Sequence, residues 1–200
     1  TGVREPSGDL LDTIYLCQRR QDWYREFAIN EGATPLEFIG SASLDDNPSG
    51  VASHLSRFLG TDSDHSRGRP TDFRHTLVKR IEALGVMVMI SGIVGNQTRR
   101  PLSVDEFRGF ALTDPIAPLI FVNNNDAKTA QNFTLVHELA HLVLGHSALS
   151  DADAGANHWR GEESWCNAVA AQTLLPAPVL RSMWREQKHD QLSNVDTVAR

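Results

Sequence analysis

The most constraining feature of this 200-residue chain is the apolar segment from Phe133 to Leu144, which carries the pattern His-Glu-x-x-His. Its histidines, His137 and His141, are four residues apart. Side chains at that spacing lie about 40° apart around an α-helix, one turn apart along its axis. Both imidazoles can therefore bind one metal ion from the same helix face. Because polar side chains in a buried helix cost free energy unless they are satisfied, the segment predicts a helix with a metal site.

The carboxylate of Glu138 directly follows the first histidine, and we predict that it is the catalytic base. Two imidazoles and a carboxylate are typical of catalytic zinc, which keeps a fourth position for water. Zinc lowers the pKa of that water toward neutrality, so Glu138 can take its proton and deliver it to the leaving amine. Mn²⁺ and Fe²⁺ remain alternatives, because this donor set does not select among the three metals. Without a metal, the alternative is a pair of core histidines bonded to backbone carbonyls.

The third metal ligand is predicted to be Glu163, on the helix predicted to follow the motif. The intervening residues leave room for a loop and a return helix that packs against the first. Glu162 is a weaker candidate, expected to be a solvated carboxylate in the first helical turn, and His146 is expected to turn away from the histidine pair. Asn167, one turn after Glu163, is expected to hydrogen-bond the free nitrogen of a ligand histidine.

The pattern of apolar residues along the chain predicts an α+β fold, with helices around a small mixed sheet. The predicted helices cover 9–28, 51–58, 71–84, 126–144, 161–175 and 179–188, and the predicted strands cover 86–90, 110–112 and 118–122. Because a proline cannot donate to a sheet, Pro118 places the strand 118–122 at an edge. We expect an extended substrate to pair with that edge.

Residues 41–69 are rich in Ser, Asp, Gly and Pro, and within them an exposed loop predicted from Thr61 to Pro70 is where we place an organisational boundary. Residues 1–69 are predicted to be an N-terminal extension of helices and loops, and residues 70–200 the metal-binding domain. The residues that follow Thr1 do not form the charged-then-apolar pattern of a signal peptide, so a cytoplasmic protein is expected. Arg200 lies within a helix-compatible segment, and further domains are expected beyond either end.

Composition excludes several classes of protein. Because the formal net charge is -6, we do not expect this chain to bind nucleic acid directly. Since the chain contains no apolar run of about 18 residues, no membrane span is predicted. The 2 cysteines, Cys17 and Cys166, are too few for a disulfide framework or a four-cysteine zinc site.

Four stretches carry a likeness to a known family, namely Phe110–Leu112, Pro118–Asn123, Phe133–His141, and Glu163–Ala171 continuing through Pro176. Together they resemble the ImmA/IrrE family of metallopeptidases, over about residues 70–180 and most strongly over 108–176. The resemblance implies a zincin-like core. It also implies His137, His141 and Glu163 as ligands and Glu138 as the base. The pair Cys166-Asn167 departs from the commoner Ala-Asn of the family.

The resemblance further implies a zinc-dependent endopeptidase whose protein substrate is a helix-turn-helix repressor or an antitoxin partner. The alternative is a metal-binding regulatory or toxin module that acts by binding, without proteolysis. Hydrolysis of a peptide bond also calls for a group that stabilises the oxyanion. Asn123, at the end of a predicted strand, and His158, before Glu163, are the candidates for contact with the substrate or this oxyanion.

Overall fold

The computed structural model describes residues 6–62, 70–146, 156–176 and 179–181. These residues form an α+β fold, as predicted. The helices are α1 (Gly8–Asn30), α2 (Pro48–Leu59), α3 (Pro70–Ala83), α4 (Lys128–Leu144) and α5 (Ala156–Leu174). The strands are β1 (Met87–Ser91), β2 (Ile93–Val94), β3 (Gln97–Pro101), β4 (Gly109–Leu112) and β5 (Leu119–Asn123).

The larger of the two sheets has three strands in the order β1-β5-β4. In this sheet, β1 is parallel and β4 antiparallel to the central β5. The prediction that 118–122 is an edge strand is therefore wrong, as is the expectation that a substrate pairs with it. Pro118 precedes β5 and contributes its carbonyl, which accepts a hydrogen bond from the Met87 amide at 2.8 Å. Its missing N–H consequently leaves the β5 ladder intact.

Successive side chains of β5 point to opposite faces of the sheet, as in any strand. Ile120 and Val122 join a core cluster with apolar residues of α2, α3, α4 and α5. Leu119 and Phe121 join a second cluster, which contains Ile14 and Cys17 of α1. The sheet thus separates a layer that contains α4 and α5 from a layer that contains α1.

Helix α4 carries the His-Glu-x-x-His segment, and it ends where the sequence predicts. Its C-cap Gly145 has φ 76°, a left-handed conformation that favours glycine. Helix α5 begins at Ala156, earlier than predicted, so Gly161 lies inside the helix rather than at its start. Packing along the following apolar residues outweighs the weak helix propensity of glycine.

Helix α2 belongs to the same packed layer as α4 and α5. The Ser56 hydroxyl donates to the carbonyl of Thr173 in α5 at 3.1 Å, and the Trp165 indole donates to the carbonyl of Asp46 at 2.9 Å. The division into 1–69 and 70–200 stays a prediction. Most of the exposed loop predicted from Thr61 to Pro70, namely residues 63–69, lies outside the described residues. In the described ranges, no helix combines the length and apolar character that crossing a membrane requires.

Candidate metal centre

Helices α4 and α5 bring three metal-binding side chains together. The Nε2 atoms of His137 and His141 are 3.1 Å apart. The Glu163 carboxylate from α5 closes the set, with Oε2 at 3.4 Å from His137 Nε2 and Oε1 at 3.3 Å from His141 Nε2. The structure therefore places the three predicted ligands at one point between the two helices.

The spacing of these atoms fits a small divalent cation. Ligands about 2.0–2.1 Å from a tetrahedral metal lie about 3.3–3.4 Å from each other, close to the three separations that the structure shows. The His141 side chain is 1% exposed, whereas that of Glu163 is 43% exposed. The site is thus walled by protein on the side of the histidines and open beside the glutamate.

The surroundings of the site shift the pKa values of Glu163 and His141 in opposite directions. Hydrogen bonds from His137 and His141 hold the pKa of Glu163 well below its ordinary value, so it stays a carboxylate. Burial by itself would lower the pKa of His141. Hydrogen bonds with Cys166 and Glu163, and the nearby charge of Glu138, outweigh burial and raise that pKa from 6.5 to about 11. In the metal-free protein, the His141 imidazole therefore carries a proton that a metal must displace.

Glu138, the predicted base, lies beside the ligands but takes no part in their contacts. The residue is 5% exposed, and its Oε2 atom is buried without a hydrogen-bond partner within the residues that the structure describes. Burial raises the pKa of Glu138, against the opposing effect of the two histidines. A raised pKa suits a carboxylate that must accept and then release a proton near neutral pH.

Gly109, the first residue of β4, allows the sheet to approach this carboxylate closely. A Cβ atom at Gly109 would lie 2.5 Å from Thr134 Cγ2, 2.7 Å from the Phe121 carbonyl oxygen and 3.3 Å from Glu138 Oε1. The segment 104–109 forms one wall of a cleft of about 520 Å³ whose other wall contains the ligands and Glu138. An edge strand therefore borders the site, but it is β4 rather than the strand we predicted.

Glu162 is the residue that sequence reasoning misplaced. It is 3% exposed rather than solvated, with Oε1 at 2.9 Å from His141 Nδ1 and Oε2 at 3.0 Å from His146 Nδ1. His146 contacts this carboxylate and does not belong to the group formed by His137, His141 and Glu163. A signal for burial exists in the sequence, since Glu162 is in helical phase with the buried Cys166, Val169 and Thr173.

The remaining candidates lie farther from the chemistry. Asn167 lines the cleft but is exposed. Of the two ligand nitrogens it could have bonded, Nδ1 of His141 contacts Glu162 and Nδ1 of His137 has no partner among the described residues. Asn123 is fully buried, where its side chain donates to the Phe107 carbonyl and accepts from the Asn125 amide. These bonds favour a structural role for Asn123. The backbone of His158 lies in α5, and its side chain lies outside the part of the chain that is described.

Comparison with known proteins covers the same region. Residues 81–200 match the family described as the IrrE N-terminal-like domain, and this span contains all of the converging residues. The chain is also similar to the radiation response metalloprotease IrrE of Deinococcus radiodurans, with 36% identity over 75 residues. The match covers 35% of this chain and 23% of that relative, so less than a quarter of the relative's length is represented.

Proposed function

Since the chain belongs to the IrrE N-terminal-like domain family of peptidases, we propose that it is a zinc-dependent endopeptidase. One observation carries the proposal. The Nε2 atoms of His137 and His141 converge with the Glu163 carboxylate directly beside the buried, unpartnered oxygen of Glu138. A family of metal-dependent peptidases and a donor set that suits zinc point to the same chemistry.

In this proposal, His137, His141 and Glu163 hold one zinc ion. When bound, zinc supplies a Lewis acid that polarises the scissile carbonyl and makes a nearby water acidic. Glu138 accepts the proton of that water and donates it to the nitrogen of the departing amine. The burial that raises the pKa of Glu138 makes the first transfer easier, because a more basic carboxylate takes the proton of the water more readily.

We propose that the substrate binds as an extended segment along β4. In the three-stranded sheet, β4 pairs with β5 on one side, and its first residue, Gly109, lies against Thr134 and Glu138 of α4. Strand addition to such an edge aligns a peptide backbone by main-chain hydrogen bonds and leaves side-chain choice to neighbouring pockets. This geometry brings a peptide bond to the mouth of the cleft that holds the metal ligands.

We further propose a helix-turn-helix repressor or an antitoxin as the protein that is cleaved. The likeness of four sequence stretches to the ImmA/IrrE metallopeptidases supports this substrate class. The cleft can admit an unfolded or flexible protein segment, because its wall 104–109 is a loop that leads into β4.

The experiment that tests the activity is cleavage of a helix-turn-helix protein encoded beside this gene, with added zinc. We expect cleavage by the wild type and by Glu82→Gln, a matched control at an exposed position of α3. We expect Glu138→Gln to bind zinc but to lose cleavage by about 10²–10⁴-fold. Cleavage in the presence of Mn²⁺ or Fe²⁺, but not in the presence of zinc, would show that zinc is not the metal that this protein uses.

Two outcomes would overturn the proposal more deeply. If the wild type and Glu138→Gln cleave equally, the hydrolysis comes from a contaminant. If Glu138→Gln keeps the full biological effect while His137→Ala loses it, the chain acts as a metal-dependent binding module without proteolysis.

A further inference from the structure

Glu162 lies at the interface of α4 and α5, and its carboxylate is almost completely withdrawn from solvent. A buried carboxylate is costly unless hydrogen-bond donors surround it. Glu162 has two such partners, one for each oxygen: the Nδ1 atoms of His141 at 2.9 Å and His146 at 3.0 Å. Each oxygen of the Glu162 carboxylate therefore has a histidine partner that fixes its position.

The contact with His141 determines which nitrogen of that ring is available to a metal. A carboxylate can only accept hydrogen bonds, so Nδ1 of His141 must carry the hydrogen. The lone pair of the neutral imidazole then lies on Nε2, the atom that faces His137 and Glu163. Glu162 thereby holds the ring in the tautomer and orientation that binding requires.

The other ligand histidine has no comparable support. His137 Nδ1 is buried without a hydrogen-bond partner in the described ranges, and its ring stacks against Phe133 with centroids 6.1 Å apart. Among the described residues, no acceptor holds Nδ1 of His137, whereas the Glu162 carboxylate holds Nδ1 of His141. A substitution at position 162 consequently acts on one ligand of the two.

Glu162 is itself held by a chain of contacts that reaches the sheet. The His146 amide donates to the His141 carbonyl at 3.1 Å, and the Thr113 hydroxyl donates to the His146 carbonyl at 2.7 Å. Thr113 directly follows β4. The backbone of His146 is thus fixed between α4 and the end of the edge strand, which places its Nδ1 against Glu162.

We propose that Glu162 is a positioning residue for the metal site, which it serves by orienting His141, and that His146 supports it. This inference rests on the proposed function, because it requires that His141 bind a metal. Glu163 and Glu162 are neighbours in sequence with separate roles: one faces the metal position, and the other holds a ligand from behind.

The test is the zinc affinity of the full chain, measured by competition with a chromophoric chelator at fixed pH. We compare the wild type, Glu162→Ala, Glu162→Gln, His146→Ala and the exposed control Glu82→Gln. Loss of an outer partner of a metal ligand typically weakens binding by about 10–100-fold, and we expect that loss for Glu162→Ala. Glu162→Gln should retain part of the affinity, because its amide oxygen can still accept from His141. His146→Ala should cause a smaller loss.

Two further readouts separate positioning from folding. Circular dichroism of the metal-free proteins reports whether each variant is folded, and if Glu162→Ala is not, the milder Glu162→Gln decides. The visible absorption bands of the Co²⁺-loaded protein report ligand geometry, and we expect them to shift in Glu162→Ala and to be restored in Glu162→Gln. Folded variants with affinities within about twofold of the wild type would overturn the inference. Failure of the wild type to bind zinc would overturn the proposed function as well.

Discussion

The two faces of the central sheet bury similar apolar side chains from β5, but they differ in what lies behind those side chains. On one face, α4 and α5 bury Glu138, His141 and Glu162 among apolar neighbours. On the other face, α1 packs through Ile14 and Cys17, and its charged residues lie at the rim. There, Arg100 pairs with Asp9 at 2.6 Å and with Asp12 at 2.7 Å.

This difference shows how one small sheet can separate stability from chemistry. On the α1 face, exposed ion pairs contribute little and apolar burial provides the free energy. On the α4 face, charged groups are kept out of water, and each needs a partner of the right kind. Glu162 contacts His141 and His146, Glu163 contacts His137 and the same His141, and Glu138 retains one oxygen without a partner among the described residues. The unpartnered oxygen of Glu138 can accept a hydrogen bond or a proton from a bound molecule, which is what a catalytic site needs.

The largest effect on zinc binding is expected when a metal ligand on the α4 face is removed. We expect Glu163→Ala to weaken zinc binding by more than about 100-fold, since changes to the outer partners of metal ligands already cost up to about that much. Ser164→Ala, at the exposed neighbouring position, should leave the affinity unchanged. Chelator competition measures both. Equal affinities in the two variants would show that Glu163 is not a ligand.

The α1 face should respond in stability rather than in metal binding. Ile14 is buried in the cluster that contains Leu119 and Phe121 of β5. Because Ile14→Ala leaves a cavity there, it should lower the free energy of unfolding by about 2–4 kcal/mol. Urea denaturation measures this change. Zinc affinity of the folded variant should stay at the wild-type value, and a marked fall in affinity would mean that the two faces are coupled.

The close approach of β4 to α4 is tested with two glycines. Gly109→Ala places a methyl group within 3 Å of Thr134 and of the Phe121 backbone, and it should cost about 1–3 kcal/mol of stability. Gly161→Ala, in α5 with nothing within 4 Å of the new Cβ, should instead stabilise by about 0.4–1 kcal/mol. Thermal unfolding of the metal-free proteins gives both signs, and a neutral Gly109→Ala would contradict the packing described.

The last test is the dependence of zinc affinity on pH. His141 has its pKa raised to about 11 in the metal-free protein, so at pH 6–8 a metal must displace one proton from it. Apparent affinity should therefore rise about tenfold, or about 1.4 kcal/mol, for each pH unit. The same raised pKa stabilises the metal-free fold below about pH 6.5, and this contribution disappears as the pH rises toward 11.

Calorimetry in buffers of different ionisation enthalpy counts the protons released on zinc binding. Glu163 does not add a proton to this count, because its lowered pKa keeps it ionised throughout this range. An affinity that stays constant between pH 6 and pH 8 would show that His141 is neutral before the metal arrives.

Much of the candidate site could be predicted because its signals are local. The spacing of His137 and His141 depends only on helix geometry, and the apolar residues around them indicate burial without reference to the rest of the chain. Glu163 was predicted from its place on the next helix, and the structure brings it to both histidines.

The errors have a common cause, which is that they depend on distant partners. The location of β5 at the centre of the sheet is set by pairing with β1 and β4. The presence of Pro118 does not indicate that pairing. The hairpin of β2 and β3 was not predicted, because its exposed residues lack an alternating apolar pattern.

The sequence by itself determined the helix that carries His137, Glu138 and His141, since i to i+4 geometry is a property of any α-helix. Only the tertiary structure decided that Glu163 faces these side chains while Glu162, one residue earlier, enters the interface behind them. Adjacent residues on a helix point about 100° apart, so the rotation of α5 against α4 selects between the two carboxylates. That rotation is set by the packing of Trp165, Cys166 and Val169, and hence by contacts across the whole layer.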